Sequence, residues 1–346
     1  MTSRERLRRA MSGGTPDRVP VGPFTMGRIA PDSDLGRELI ARTDVMLDVW
    51  SGGDPFLGAG AGVRSEEQGD CTVVTIDTPR GPLTRRVRRT ALASATIEFP
   101  FKAPEDVERF LSIPYRPPAM DLSGYRAWRE RVGDDGLVLA GIGNGVCLPA
   151  DWFSPEGFCT AWADSRELLT RLTAVATERL LAWVDRLCAA GVDAFRIVGG
   201  EYVSVQLGPR AFAELVTPFD SELVRLIRRH GAIAYYHNHG RVMRYLPALA
   251  ALGIDALDPL EAPPWGDVGD LRAAREAAGD ALCFVGNLDD MEIVDALPTD
   301  EVLKIARERL AAGGPRAFVL GGTASGTYGE RGARNFIAMA EMAAAG

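Results

Sequence analysis

Short apolar segments alternate along the chain with longer segments in which apolar residues recur at helical spacing. Short apolar runs bounded by glycine, proline and charged residues are typical of buried strands. Regular alternation of such strands with helices indicates a parallel sheet, and eight units favour an α/β fold of the closed (β/α)8 type, the TIM barrel. The predicted strands are Val19–Phe24, Val45–Trp50, Leu137–Ile142, Val192–Val198, Ala232–His237, Ile254–Asp258, Ala281–Gly286 and Ala317–Leu320.

One region departs from this rhythm. Residues 71–78 and 82–90 alternate in polarity, are rich in β-branched residues and are joined by Pro79-Arg80-Gly81, which predicts a β-hairpin at about 70–90. We interpret it as an insertion into a single barrel domain that spans residues 1–346. The competing fold, an open doubly wound sheet, is disfavoured because no G-x-G-x-x-G motif follows an early strand.

The composition of the 346-residue chain narrows the class of protein. A net charge of −8 argues against a nucleic-acid surface. No apolar run approaches the roughly 20 residues of a membrane span, and the charged N-terminus does not resemble a signal peptide. The five cysteines are scattered without a C-x-x-C pair, so we expect reduced thiols and a cytoplasmic location.

The segment after the fifth predicted strand carries the strongest chemical signal. His237 and His239 are two of only three histidines, and residues two apart in an extended chain point to the same side. Neutral imidazoles at this spacing suit a divalent metal such as zinc. The alternative is a pair of polar side chains at a strand end that bond only to their neighbours. If a metal binds there, two histidines supply only part of its ligands, and the others must come from elsewhere in the chain.

Polar residues follow the other predicted strands as well. In a (β/α)8 barrel the C-terminal ends of the strands form one functional face. Glu201 follows the strand next to the histidines and is the first choice for a third metal ligand, with Asp258 and Glu261 as competitors. The polar residues at these strand ends are Asn144, Glu201, Tyr202, Asp258, Glu261, Asn287, Asp289 and Thr323.

Several motifs, in their order along the chain, resemble the uroporphyrinogen decarboxylase superfamily, whose fold is a (β/α)8 barrel. The resemblance covers nearly the whole chain. The segments that carry it are Thr15-Pro16-Asp17-Arg18-Val19-Pro20-Val21, Thr78-Pro79-Arg80-Gly81-Pro82-Leu83, His237-Asn238-His239-Gly240, Gly253-Ile254-Asp255-Ala256-Leu257-Asp258-Pro259-Leu260-Glu261 and Gly286-Asn287-Leu288-Asp289.

The resemblance implies one of two kinds of chemistry. True decarboxylases use no metal and bind an acidic tetrapyrrole through an N-terminal arginine motif, which is absent here although Arg28 remains. The branch of corrinoid-dependent methyltransferases carries zinc on a His-x-Cys-Gly motif and a later cysteine. Here His239 replaces the cysteine of that motif, and the later cysteine position falls near Thr323. The chain is therefore closer to the methyltransferase-like branch, with altered ligands.

We accordingly expect a metal-dependent methyltransferase-like enzyme that moves a methyl group between a corrinoid and a thiol or other small acceptor. The alternatives are a decarboxylase or other lyase acting on a carboxylated small molecule, and a non-catalytic binding subunit. Methylcobalamin would come from a partner corrinoid protein. The sequence is also compatible with a homodimer. We assign the metal to His237, His239 and Glu201. Catalytic roles go to Glu201, Tyr202 and Asp289, and substrate contacts to Arg28, Asn144, Asn287, Glu261 and Thr323.

Overall fold

The computed structural model describes residues 1–90, 93–323 and 326–345. Eight parallel strands form one sheet, which confirms the predicted (β/α)8 barrel. A parallel bridge between Phe24 and Met46 joins the first two barrel strands and closes the sheet. In chain order the described strands, of which β3 to β6 form a separate sheet, are β1 (Val21–Gly22), β2 (Val45–Trp50), β3 (Val63–Gln68), β4 (Cys71–Ile76), β5 (Leu83–Arg89), β6 (Ser94–Glu98), β7 (Gly136–Gly143), β8 (Ala194–Val198), β9 (Ile233–His237), β10 (Ala256–Asp258), β11 (Cys283–Leu288) and β12 (Phe318–Gly322).

Helices surround the barrel sheet and bury their apolar faces against it. The described α-helices are α1 (Ser3–Met11), α2 (Asp34–Arg42), α3 (Pro104–Leu111), α4 (Ser123–Val132), α5 (Cys147–Ala150), α6 (Pro155–Asp164), α7 (Arg166–Ala189), α8 (Glu201–Ser204), α9 (Pro209–Ala211), α10 (Thr217–Arg229), α11 (Leu246–Ala251), α12 (Leu271–Ala278), α13 (Thr299–Gly313) and α14 (Glu330–Ala345). No described helix has the length and apolarity needed to cross a membrane.

Helix α1 closes one end of the barrel. It begins with a capping box, in which the Thr2 hydroxyl accepts the Glu5 amide and the Glu5 carboxylate accepts the Thr2 amide. Its buried residues Leu7, Ala10 and Met11 share one apolar cluster with inward-facing strand residues. Because α1 fills that end, the opposite end, where the strands terminate, is the one open to a ligand.

The inserted sheet, β3 to β6, is antiparallel and larger than the sequence indicated. The predicted hairpin at about 70–90 corresponds to its central pair, β4 and β5. β3 and β6 add one strand on each side. The sequence Val-Arg-Ser-Glu-Glu-Gln of β3 is exposed throughout, so it has no apolar alternation to reveal it. Ile76 and Leu83 are buried in the main core, which anchors the sheet to the barrel.

Other elements differ from the prediction in their limits. The first strand shortens to β1 because Pro20 and Pro23 lack the amide that a ladder needs. Among the helices, a π-helical turn, Phe212–Val216, lies between α9 and α10. A 3-10 turn, Met243–Tyr245, leads into α11.

Candidate active site at the open end of the barrel

The two-residue period of the strands places a charged layer inside the barrel, above an apolar one. In β9, Ile233 and Tyr235 face the interior cluster that includes α1, and His237 is the next residue in that series. The same alternation brings a residue inward from each of β2, β8 and β10. The members of this charged layer are Asp48, Arg196, His237 and Asp258.

His237 and His239 lie together as predicted. Their ring centroids are 4.3 Å apart and their planes are nearly perpendicular. His237 is buried, whereas the His239 side chain is 42% exposed. The pair therefore extends from the barrel interior to the open end of the barrel opposite α1, called the mouth below.

Each imidazole is held by a carboxylate from β10 or the loop after it. Nδ1 of His237 lies 3.0 and 3.1 Å from the two oxygens of Asp258, and Nδ1 of His239 lies 3.0 Å from Oε1 of Glu261. The other oxygen of Glu261 accepts the Gly240 amide at 2.8 Å. A carboxylate at Nδ1 favours the proton there and leaves the lone pair on Nε2, the arrangement common in metal-binding histidines.

These contacts also shift the pKa values of His239 and Asp258. The hydrogen bond to Glu261 raises the pKa of His239 above its ordinary value, although burial opposes this. Burial alone would raise the pKa of Asp258. The charges of His237 and Arg196 outweigh that effect and lower the pKa of Asp258. The carboxylate of Asp258 is thus ionised beside the imidazole.

A buried arginine, which the sequence analysis overlooked, extends this network across the barrel. Nη1 of Arg196 lies 3.2 Å from Oδ2 of Asp48, and its Nη2 lies 4.0 Å from Asp258. The guanidinium also stacks on Phe24 at 4.5 Å. The signal for these residues is a single charged residue within each of two otherwise apolar strands, β8 (Ala-Phe-Arg-Ile-Val) and β2 (Val-Met-Leu-Asp-Val-Trp). There the two-residue period turns Arg196 and Asp48 inward.

Gly141 makes room for the Arg196–Asp48 pair. It is the partner of Arg196 in the ladder between β7 and β8. A Cβ atom at this position would lie 2.5 Å from Oδ1 of Asp48, closer than any ordinary contact. The strand β7 therefore needs glycine where the side chains of its neighbours cross.

Asn144 lies at the end of β7, as predicted, but in a buried network. Its Nδ2 donates to Oδ2 of Asp220 at 2.9 Å and lies 3.2 Å from the Tyr236 hydroxyl, which itself donates to that oxygen at 2.6 Å. Its Oδ1 accepts the Cys147 amide at 2.8 Å. These contacts indicate that Asn144 fixes the loop after β7, with substrate contact still a prediction.

Replacing Asp220 by asparagine should stabilise the protein at neutral pH. Burial raises the pKa of Asp220 from 3.8 to about 6, so its stabilising contribution is complete below about pH 4 and declines as the pH rises to about 6. Asparagine can keep both bonds to the shared oxygen without ionising. Relative to wild type, we expect the variant to gain about 1–3 kcal/mol in unfolding free energy between pH 4 and pH 7.5, from about 1.4 kcal/mol per pKa unit.

Chemical denaturation at pH 4 and pH 7.5 tests this expectation. The gain should be larger at pH 7.5, because the wild-type carboxyl is charged there. Asp135→Asn, at an exposed position, is the matched control. A destabilised Asp220→Asn variant at pH 7.5 would show that the charge is needed for the network.

Glu201 and Tyr202 begin the short helix α8 after β8. Oε2 of Glu201 accepts the Gly199 amide at 3.2 Å, and its charge contributes to the raised pKa of His239. The Tyr202 hydroxyl donates to Asp151. Burial, followed by that hydrogen bond, raises the pKa of Tyr202, which keeps the phenol protonated as a donor.

Three of the remaining predicted residues bond mainly to backbone. Nδ2 of Asn287 donates to the carbonyls of Leu260 and Val268 at 3.1 and 3.2 Å. Oδ1 of Asp289 caps the turn Asp290–Val294. Nε of Arg28 donates to a carbonyl at 2.9 Å, and its side chain is 68% exposed. These contacts do not join them to the histidine pair.

The predicted metal ligands are not gathered around a single position among the described residues. Thr323 is buried directly after β12, where the resemblance placed a lost cysteine. In the part of the chain that the structure describes, no group of three or more His, Cys, Asp or Glu side chains is gathered around one metal position. Cys147 is buried near the mouth, and burial raises its thiol pKa well above the ordinary value. The Nε2 atoms of the two imidazoles are thus the candidate metal donors, and a metal bound there would need a third ligand, for which Glu201 and substrate are the candidates.

Comparison with known proteins agrees with this architecture. The sequence profile of the family described as Uroporphyrinogen decarboxylase (URO-D) matches residues 98–344. No curated protein sequence matches the chain. A solved structure described as a methyltransferase from Methanosarcina mazei is similar, with 17% identity, a TM-score of 0.69 and 99% of each chain covered. A B12-independent methionine synthase from Shewanella sp. W3-18-1, in complex with selenomethionine, gives 13% identity and a TM-score of 0.52 over 94% of this chain and 97% of that one. At these identities the likeness concerns the fold.

Proposed function

The chain belongs to the uroporphyrinogen decarboxylase family, and from this premise we propose that it is a metal-dependent methyltransferase-like enzyme. It would move a methyl group between a corrinoid and a thiol or another small acceptor. The two similar solved structures, described as a methyltransferase and a methionine synthase, support methyl transfer as the reaction class.

The observation that carries the proposal is the carboxylate on Nδ1 of both histidines. His237 and His239 would hold zinc or another divalent metal through Nε2, with Glu201 as the third ligand or as a base. A zinc ion held there would lower the pKa of a bound thiol and so supply thiolate at neutral pH.

The chain's own residues orient this site. Asp258 and Glu261 fix the proton of each imidazole on Nδ1 and so keep Nε2 free. Arg196 supports the charge of Asp258 from the opposite side. The protonated Tyr202 hydroxyl is a hydrogen-bond donor near the mouth. We propose that Asn144, Asn287 and Thr323 shape the substrate position, and that Asp289 and Arg28 act only if their loops move inward.

The methyl donor would come from outside the chain. We propose a partner corrinoid protein that presents methylcobalamin at the open end of the barrel, opposite α1. A homodimer would be compatible with this arrangement if its interface leaves that end free. The protein would act in the cytoplasm, where its cysteines would stay reduced.

Decarboxylation of a small acid is the second candidate function. It is favoured by Arg85 and Arg196, whose guanidinium groups line one cavity at the mouth and suit a carboxylate. Rim carboxyl groups would then act as acids.

Turnover with methylcobalamin tests the proposal. Purified protein, zinc and a panel of thiols should convert methylcobalamin to its demethylated form, followed by absorbance, faster than the same mixture without protein. Release of carbon dioxide from small carboxylic acids is measured in parallel. Carbon dioxide release without any methyl transfer would replace the first candidate with the second.

A further inference from the structure

A cavity of about 410 Å³ lies at the mouth, where Asp48 and Arg196 of the charged layer form part of its wall. It is bounded by the ends of β2, β7 and β8 and by the inserted sheet. Its volume is in the range of small-molecule sites. Phe56 and Trp152 provide aromatic lining, and Arg85 and Arg196 provide guanidinium groups. The cavity therefore combines an aromatic surface with two cations, and the carboxyl groups of Asp48, Asp54 and Asp151 also line it.

Arg196 has unused hydrogen-bonding capacity in this cavity. Its side chain is only 9% exposed, yet Nε has no hydrogen-bond partner among the described residues. Nη2 is 4.0 Å from Asp258, too far for a hydrogen bond. Because Arg196 lines the cavity and its Nη2 lies beyond hydrogen-bond distance of Asp258, this guanidinium has capacity for an acceptor that a ligand brings.

Arg85 reaches the same cavity from β5 of the inserted sheet. Its Nε and Nη2 both donate to Oγ1 of Thr96, at 3.2 and 2.8 Å. These two bonds hold the guanidinium in place and leave Nη1 available. Two arginines on one cavity are well suited to a carboxylate, which accepts charge-assisted hydrogen bonds from both.

Asp48 provides the opposite kind of unused group. Its Oδ2 accepts from Arg196, whereas its buried Oδ1 has no partner among the described residues. Burial raises the pKa of Asp48 despite the adjacent arginine. The Asp48 side chain is nevertheless 24% exposed and lines the cavity, so a carboxyl acceptor next to Arg196 fits a ligand that carries a hydrogen-bond donor beside its acidic group.

We propose that this cavity binds a small carboxylic acid with a flat apolar body and a hydroxyl or amino group next to the carboxylate. The carboxylate contacts Arg85 and Arg196, the hydroxyl or amino group donates to Asp48, and the body packs on Phe56 and Trp152. This inference deepens the proposed function, on which it rests for taking the mouth as the active site, by naming the class of small substrate.

Calorimetric binding with a matched set of probes tests the inference. Mandelate or phenylglycine should bind at least about tenfold more tightly than mandelamide, which lacks the charge, and than phenylacetate, which lacks the donor. Equal binding of all four compounds, or no binding of mandelate and phenylglycine, would overturn it.

Two variants locate the site. Arg85→Gln should weaken binding of the tighter acid by about tenfold or more. Arg88→Gln should leave it unchanged, because Arg88 lies on the same strand but pairs with Asp70 at 3.2 Å. Circular dichroism confirms that both are folded. Equal effects of the two substitutions would overturn the assignment.

These measurements need no methyl donor, so their outcome is separate from that of the methyl-transfer assay. Methyl transfer to thiols without binding of the acids would overturn only the substrate class. Binding of the acids without any methyl transfer would confirm the cavity and reject the proposed reaction.

Discussion

Protein in which His237 and His239 are both replaced by alanine should lose its divalent metal. We expect wild type to hold about one metal ion per chain and the double variant close to none, because both imidazole donors are removed. Methyl transfer should fall by more than about a hundredfold, since loss of a supporting contact alone costs about 10–100-fold at such sites. Elemental analysis of the purified proteins and the methylcobalamin assay measure both effects.

The third histidine supplies the control. His230 follows helix α10 and contacts Asp185 at 2.8 Å, away from the carboxylates of β10. His230→Ala should keep the metal and the activity of wild type. If the double variant and His230→Ala hold equal amounts of metal, the His237–His239 pair is a hydrogen-bonded strand end and has no metal role.

The barrel could be predicted because its strands are short apolar runs separated by glycine and proline. The strands of a parallel barrel are covered on both faces, so any sequence with this fold needs apolar residues along them. The prediction of secondary structure was poorest where the order of apolar and polar residues carries no information about conformation. Strand β3 is exposed along its whole length, and the π-helical turn at Phe212–Val216 has the same residue types as an α-helix. Local composition does not distinguish those conformations.

The histidine pair was predictable for a related reason. His237 and His239 are two residues apart at a strand end, so local geometry brings them together. Their carboxylate partners come from the following strand, and the sequence placed Asp258 and Glu261 at the same rim as competing metal ligands. The structure places both on Nδ1, where they support the imidazoles. Whether Asp258 and Glu261 bind a metal or support the imidazoles depends on how β9 and β10 align in the sheet, which the sequence does not reveal.

Arg196 illustrates what one-dimensional reasoning omits. The rest of β8 is as apolar as any barrel strand, and the contacts of Arg196 come from Phe24, which follows β1, and from β2 and β10. Arg85 belongs to the inserted sheet, which the sequence indicated only as a hairpin insertion into the barrel. The cavity that both residues line is formed by segments far apart in the chain, so it required the fold.

Replacing Glu201 by glutamine should reduce methyl transfer by about a hundredfold or more, the usual cost of a lost general base. The change keeps the size of the side chain, and an amide oxygen can still accept the Gly199 amide, so we expect the fold to persist. A neutral amide is a poor zinc ligand and is not a base. The activity loss should therefore appear with unchanged thermal stability.

Metal content separates the two roles of Glu201. If it is a ligand, Glu201→Gln should hold less metal than wild type, whereas a base should lose activity with metal retained. Glu222→Gln, at an exposed position on α10, controls for the loss of one negative charge. A rim glutamate that serves only in surface electrostatics would be worth about 0–1 kcal/mol. Near wild-type turnover and metal content in Glu201→Gln would thus exclude Glu201, and because Asp258 and Glu261 already hold the imidazoles at Nδ1, the third ligand would then have to come from substrate.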